Sequence, residues 1–448
     1  MSAAGPWAGR RLHIVAIGGA GMSGLAVVAA QLGAQVTGSD RAESPYLEQV
    51  RAAGIDPVIG HDAANVPPGD DVELVFSTAV PADNPERAVA RERGLAELHR
   101  SALLTQLSEL RRTIAITGTH GKTTTTAMTV HVLRACGLDP AFLVGARLRP
   151  GGENAGWGAG EWLVAEADES DRSLLSFRRE VAVLLNADLD HHATYGSRLD
   201  LDATLVNFLA PAAHAVVWDR PELLALAQRA GVADVTAFDV TEEGAELTAG
   251  GSRFDWRGSE VVLAVPGIHN ARNAVAALEA CRLAGADPAA AAAALAGFPG
   301  TARRFEARGR TPSGALVYDD YAHHPAEVAA TLAAARTLEP SRLVAVFQPH
   351  LYSRTAALAR EFGAALAAAD LVCVLDVYPA RERAEDFPGV GGLLVAEAAA
   401  DAADGRRVCW LPALDDAERF LAAELREGDV CLTLGAGDVD GLAARLTA

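Results

Sequence analysis

Residues 113–126 read TIAITGTHGKTTTT, and Lys122 within this stretch is the only lysine among 448 residues; every other permanently positive side chain is an arginine. TIAIT is apolar and β-branched, GTHG is small and turn-forming, and the threonines open a helix-like run that continues AMTVHVLRAC. A strand, a tight loop and a helix in that order aim backbone N–H groups at a phosphate. Gly118, Thr119, His120 and Gly121 form the loop, Lys122 can reach outer phosphoryl oxygens, and Thr123 or Thr124 can offer a hydroxyl to Mg²⁺. The general G-x-x-x-x-G-K-[ST] pattern is not met, because Ile116 stands where its first glycine would be. The plain alternative is a threonine-rich helix start with an exposed lysine. In an arginine-rich chain such a lysine is freely exchangeable for arginine, whereas a compact charge beneath a phosphate is poorly replaced by a wide planar fork. Binding of a nucleoside triphosphate is the favoured reading.

The same alternation of strand and helix extends in both directions. LHIVAI at 12–17, a strand at 35–39 and VELVFST at 72–78 form a first unit that ends near a helix at 98–110. EWLVAEAD at 161–168 and REVAVLLNAD at 179–188 are expected as strands of a second unit, and VVLAVPG at 261–267 leads into HNARNAVAALEACRLAG. GFPGTARRFE at 297–306 reads as a hinge. LVAVFQPH at 343–350, LVCVLDVY at 371–378 and DVCLTLGAGD at 429–438 repeat the pattern. The expectation is three consecutive α/β domains: a Rossmann-like 1–106, a P-loop ATPase-like 107–303 and a Rossmann-like 304–448. Open sheets of this kind take ligands at the carboxyl ends of their strands.

Unusual polar residues gather at those ends. EADESD places Glu166, Asp168, Glu169 and Asp171 within six residues after an apolar run, which is either a solvated loop or a site where a cation offsets the repulsion. Mg²⁺ suits the second reading, since one or two carboxylates plus phosphates suffice to hold it. LLNADLDHHATYG brings Asp190, His191 and His192; if its strand neighbours the acidic one, Glu166 and His191 converge near Lys122. IVAIGGAGMSG contains Gly19-x-Gly21-x-x-Gly24 with Asp40 after the next strand, which fits a dinucleotide such as NAD or another diphosphate resting on a helix N-terminus.

A net charge of −19 disfavours nucleic acid and anionic membranes as partners. The five cysteines include no CxxC pair and are expected as reduced core residues. No apolar stretch is long enough for a signal peptide or a membrane span, so a cytoplasmic chain is expected. Monomer and homodimer are both open.

Taken together and in this order, GGAGMSG, TGTHGKTTTT, EADESD, DHHATYG, HNARN, DDYAHHP, FQPHLYSR, DVYPARE and GAGD resemble the Mur ligases over nearly the whole chain, in particular their alanine-adding branch. The resemblance implies an N-terminal domain for UDP-N-acetylmuramate, a central ATPase domain and a C-terminal domain that closes over both. It implies that Gly19, Ala20, Gly21, Met22 and Ser23 cradle the UDP diphosphate, with Asp40, Ser77, Thr78 and Ala79 lining the same cleft. By the same likeness the loop from Gly118 to Thr124 holds ATP, while Thr123, Glu166 and His191 bind Mg²⁺. Asn270 and Asn273 then lie near adenine. Asp320, Tyr321, His323, His324, His350 and Arg354 match positions facing ATP, the muramyl carboxylate or the amino acid. Catalysis would rest on Lys122, His191, His323, His350 and Arg354. The implied reaction is ATP-dependent joining of L-alanine to the muramyl carboxylate through an acyl phosphate. Several later-acting members carry a carbamylated lysine near the metal; with no lysine after Lys122, this chain cannot. Its residues also admit three other readings: a ligase for a bulkier amino acid, an NAD-dependent oxidoreductase, or a nucleotide-gated binding module.

Overall fold

The computed structural model describes residues 5–188 and 194–448. The chain folds as two compact units, one of residues 1–239 with 273–295 and the other of 240–272 with 296–448. The first unit contains two α/β sheets. Its N-terminal sheet has five parallel strands in the order Val58–Ile59, Gln35–Asp40, Arg11–Val15, Val72–Phe76, Ala96–His99. The chain order reverses direction at Arg11–Val15, so the switch point falls where the glycine-rich turn leaves that strand for the helix Ala20–Gln31. Gly24 packs this helix against the second sheet, since a Cβ there would lie 3.0 Å from Ala155 Cβ and 3.4 Å from Leu143.

The second sheet has seven strands in the order Asp234–Phe238, His214–Trp218, Val181–Leu184, Arg112–Thr117, Trp162–Glu166, Ala141–Leu143, Ala155–Gly156. All neighbours are parallel except the last pair. The loop-bearing strand Arg112–Thr117 is buried after its first residue, as its unbroken apolar run requires of a central parallel strand. The strands Trp162–Glu166 and Val181–Leu184, which lead into the acidic and histidine-rich stretches, flank it one on either side, so the condition that the two be direct neighbours is not met.

In the second unit, Ala245–Thr248, Gly251–Trp256 and Ser259–Leu263 form a small antiparallel sheet that hydrophobic patterning had shown only at its last strand. The C-terminal sheet runs Glu306–Arg310, Leu316–Asp320, Asp429–Leu434, Arg342–Phe347, Leu371–Val374, Arg407–Trp410, parallel apart from its first strand. Alternation along Leu371–Val374 sends Val372 and Val374 into one core and Leu371 and Cys373 into the other. The three expected α/β layers are thus present in succession. Almost every strand stops earlier than its sequence pattern suggested: Trp162–Glu166 ends before Ala167, and Arg342–Phe347 before Gln348. The polar tails bend out of the ladder, which frees their side chains for other partners.

All five cysteines are free thiols; Cys281, Cys373 and Cys431 are buried as expected of core residues, whereas Cys136 and Cys409 are only half-buried. Among the described residues no helix is long and apolar enough to cross a membrane.

Candidate active site

In the first unit the loop 118–121 ends in Gly121, the N-cap of the helix Lys122–Ala135, with φ +82. A Cβ on Gly121 would come within 2.5 Å of Asn273 Oδ1, and one on Gly118, at φ +142, within 3.0 Å of the Asn186 amide nitrogen. Both positions therefore require glycine, for conformation and for space. Asn186 clamps the loop from outside: its Oδ1 accepts from His120 N–H at 2.8 Å and its Nδ2 donates to His120 O at 2.9 Å. Thr119 Oγ1 donates to Asp188 O at 2.8 Å. The helix start leaves its first N–H groups without intrahelical acceptors, facing the hollow of the loop.

Lys122 folds its ammonium back over the loop, donating to Gly118 O at 2.7 Å and Thr119 O at 3.2 Å and pairing with Glu169 at 2.8 Å. Burial by itself would lower its pKa, but Glu169, Asp168 and Glu166 together outweigh that and hold it above the ordinary lysine value. Thr123, rather than Thr124, meets a carboxylate: its Oγ1 donates to Glu166 Oε1 at 3.1 Å, while Glu166 Oε2 accepts from Gly145 N–H at 2.8 Å.

The acidic stretch is divided among separate partners. Glu169 faces Lys122, Asp168 and Asp171 face Arg100 at 3.5 and 2.8 Å, and Glu166 faces Thr123. The repulsion that sequence reading assigned to a metal is thus offset largely by the protein's own cations. His191 lies outside the described residues. Among the described residues no group of three or more His, Cys, Asp or Glu side chains is disposed to hold a metal. A hydroxyl and a carboxylate side by side are nonetheless the hard-oxygen donors that Mg²⁺ takes alongside phosphate oxygens and water. The glycine cradle and this pair together fit a metal-bound triphosphate.

At the N-terminal turn Asp40 Oδ2 accepts from Gly18 N–H at 2.8 Å and Ser44 Oγ donates to Gly18 O at 2.8 Å. Asp40 therefore braces the turn itself. Asn154, fully buried, donates to Ala20 O at 2.7 Å, and Ser23 Oγ donates to the same carbonyl at 3.0 Å. Ser77, Thr78 and Ala79 follow the strand Val72–Phe76 in a turn closed by Val80 N–H to Ser77 O.

In the second unit Asp320 ends the strand Leu316–Asp320 and accepts from Phe305 N–H at 2.7 Å and Ala322 N–H at 2.8 Å. The rings of Tyr321 and His323 meet edge-on at 5.2 Å, and those of His323 and His350 lie 6.2 Å apart. His350 stacks on Tyr378 and its Nδ1 sits 3.2 Å from Arg354 Nη1. Between them Leu351 holds φ +69, an unfavourable angle for leucine that the packed surroundings enforce. His324 caps the helix Pro325–Arg336, its Nδ1 accepting from Ala326 N–H at 3.3 Å. Asn270 Nδ2 donates to Pro266 O at 2.7 Å.

Family models match three consecutive parts of the chain: the Mur ligase family catalytic domain over 11–112, the Mur ligase middle domain over 116–281, and the Mur ligase glutamate ligase domain over 303–437. The chain is a Mur ligase. This Mur ligase is 43% identical to the UDP-N-acetylmuramate–L-alanine ligase of Mycobacterium sp. (strain JLS), covering 98% of this chain and 95% of the relative. It is 45% identical to the enzyme of the same name from Acidithiobacillus ferrooxidans (strain ATCC 53993 / BNL-5-31), covering 97% of each. Its fold is similar to the crystal structure of the UDP-N-acetylmuramate-alanine ligase of Thermotoga maritima, with a TM-score of 0.82 at 28% identity over 97% of this chain and 98% of that one. A murein peptide ligase from Psychrobacter arcticus follows with a TM-score of 0.71 at 25% identity, covering 98% of each chain.

Two arginines of this Mur ligase went unassigned in the sequence reading, which took 297–306 as a hinge. From Arg303 onward that segment is fastened to the C-terminal sheet: Arg303 pairs with Asp319 at 3.1 Å and donates to Gly435 O at 2.8 Å and Gly437 O at 3.1 Å. Arg304 lies over the Tyr321 ring. The doubled arginine after a Pro–Gly turn was the available signal. Burial pushes the Asp320 carboxyl up to about 6 against the opposing pull of Arg304 and the Phe305 N–H. A carboxyl raised in the folded state favours folding while protonated, so this contribution is present below about pH 4 and is lost as pH rises through about 6. Asp320→Asn is expected to flatten the dependence of melting temperature on pH between those limits. An unchanged slope in a pH series of thermal melts would refute the assignment.

Proposed function

We propose that this Mur ligase joins L-alanine to the carboxylate of UDP-N-acetylmuramate with cleavage of ATP, giving UDP-N-acetylmuramoyl-L-alanine, ADP and phosphate during peptidoglycan precursor synthesis. The observation that carries the reading is the full-length likeness to ligases named for that reaction, joined to a loop whose glycines, lysine and threonine suit a triphosphate. Residues 1–106 would take the nucleotide sugar, 107–303 ATP, and 304–448 the amino acid. The muramyl carboxylate attacks the γ-phosphorus, ADP departs, and the alanine amine then displaces phosphate from the acyl phosphate. Lys122 and the helix N–H groups at 122–124 would offset charge on the transferring phosphoryl group. Thr123 and Glu166, with His191, would hold Mg²⁺, which when bound neutralises phosphate charge. Asn270, Asn273 and Asp320 would position the nucleotide. Gly19–Ser23, Asp40 and Ser77–Ala79 would hold the UDP moiety. Tyr321, His323, His350 and Arg354 would orient the carboxylate and the incoming amine.

The test is phosphate release from Mg²⁺-ATP with UDP-N-acetylmuramate and L-alanine supplied separately and together, with glycine and L-serine as competitors. Release that needs both substrates and is strongest with alanine is the expected result. Phosphate appearing without the muramyl nucleotide, or ATP binding with no turnover, would overturn the proposal.

A further inference from the structure

Arg100 opens the helix Arg100–Leu110 and has no part in the functions assigned above. Its Nε donates to Asp171 at 3.0 Å, and its Nη2 lies 2.8 Å from Asp171, 3.1 Å from Ser173 Oγ and 3.5 Å from Asp168. Those contacts use one edge of the guanidinium. Nη1 has no acceptor among the described residues, and it lies over the glycine-rich turn, where a Cβ on Gly21 would approach it to 2.9 Å. The side chain is largely buried, with 18% of its surface exposed. Asp40 meanwhile places a carboxylate on the same turn at Gly18. An anionic ligand entering there needs a cation against that carboxylate, and Arg100 is the guanidinium that reaches Gly21.

We propose that Arg100 is a positioning residue for the nucleotide-sugar substrate, gripping its diphosphate through Nη1 while Asp171 and Asp168 hold the guanidinium in place. This rests on the reading that the turn Gly19–Ser23 receives the diphosphate. The arrangement links the two substrate regions of the first unit, because the carboxylates that brace Arg100 belong to the stretch whose Glu169 pairs with Lys122. Asp168 itself is held below the ordinary carboxylate range: burial alone would raise it, and Lys122 and Arg100 together overcome that.

The experiment is calorimetric titration of the full chain with UDP-N-acetylmuramate, UDP and UMP, for the wild type, Arg100→Gln, Arg100→Lys and Ala20→Asp. Loss of a charge-assisted contact predicts affinity for UDP-N-acetylmuramate and UDP about 10- to 100-fold weaker in Arg100→Gln, with UMP far less affected. Arg100→Lys should recover part of the difference. Ala20→Asp tests the underlying reading, since an aspartate suits a first helical turn yet repels a diphosphate on it. If Ala20→Asp binds the diphosphates normally, the turn is not their site and that reading falls. If Ala20→Asp weakens them while Arg100→Gln does not, the reading stands and the role of Arg100 is refuted. Equal losses for UDP and UMP in Arg100→Gln would reduce Arg100 to a structural brace and also overturn the proposal.

Discussion

Replacing Lys122 by alanine is expected to slow phosphate release on the order of a thousandfold, the scale at which a preorganised charge stabilises a transition state. The loop has no second lysine to compensate, and the ammonium is already held on Gly118 O and Thr119 O, at the mouth of the phosphate cradle. The same change removes one partner of a buried pair, since Glu169 is 2% exposed. Breaking such a pair from one side costs about 3–5 kcal/mol, so the variant should also melt earlier. Adding Glu169→Gln removes the charge left behind and should restore much of the melting temperature without restoring turnover. Lys122→Arg keeps the charge but cannot seat a planar fork between two carbonyls and a carboxylate, and should be stable but slow. Retention of more than a tenth of wild-type turnover in Lys122→Ala would show that the loop does not act on the transferring phosphate.

Gly121→Ala should lower kcat/KM for ATP about 100-fold, the scale of a small misplacement at a reacting centre. Two effects combine. A φ of +82 costs a residue with a Cβ about 1–2 kcal/mol. The new Cβ would also fall 2.5 Å from Asn273 Oδ1, so either the loop or the asparagine must move. The comparison is Gly137→Ala at the other end of the same helix: its φ is +76, and nothing lies within 4 Å of the added atom. That variant bears the conformational cost without the collision, so it should lose stability and keep its activity. Equal catalytic losses in the two variants would mean that loop geometry at Gly121 has no special bearing on catalysis.

Much of the phosphate loop was legible because its chemistry is local. A strand, two glycines, a lysine and a threonine lie within a dozen residues, and their backbone geometry follows from steric rules acting on neighbours. The division of EADESD was not legible. Four carboxylates within six residues suggested one shared cation, yet Glu166, Glu169 and the Asp168–Asp171 pair each meet a different partner. Those partners arrive from 43, 47 and about 70 residues away. Asn186 was likewise quoted within its stretch but given no role, because its two bonds to His120 span 66 residues.

The sequence by itself determined the alternation of strand and helix, the three α/β layers, the loop glycines and the identity of the lone lysine. These depend on hydrophobic period and backbone conformation, which are properties of contiguous residues. Only the tertiary structure decided that the acidic and histidine-bearing strands stand on opposite sides of the loop strand, that Asp40 braces its own turn, that His324 caps a helix while His323 does not, and that Arg100 reaches from the acidic stretch to Gly21. Strand order and the aim of long side chains are set by which surfaces pack together, and that information is distributed over the whole chain.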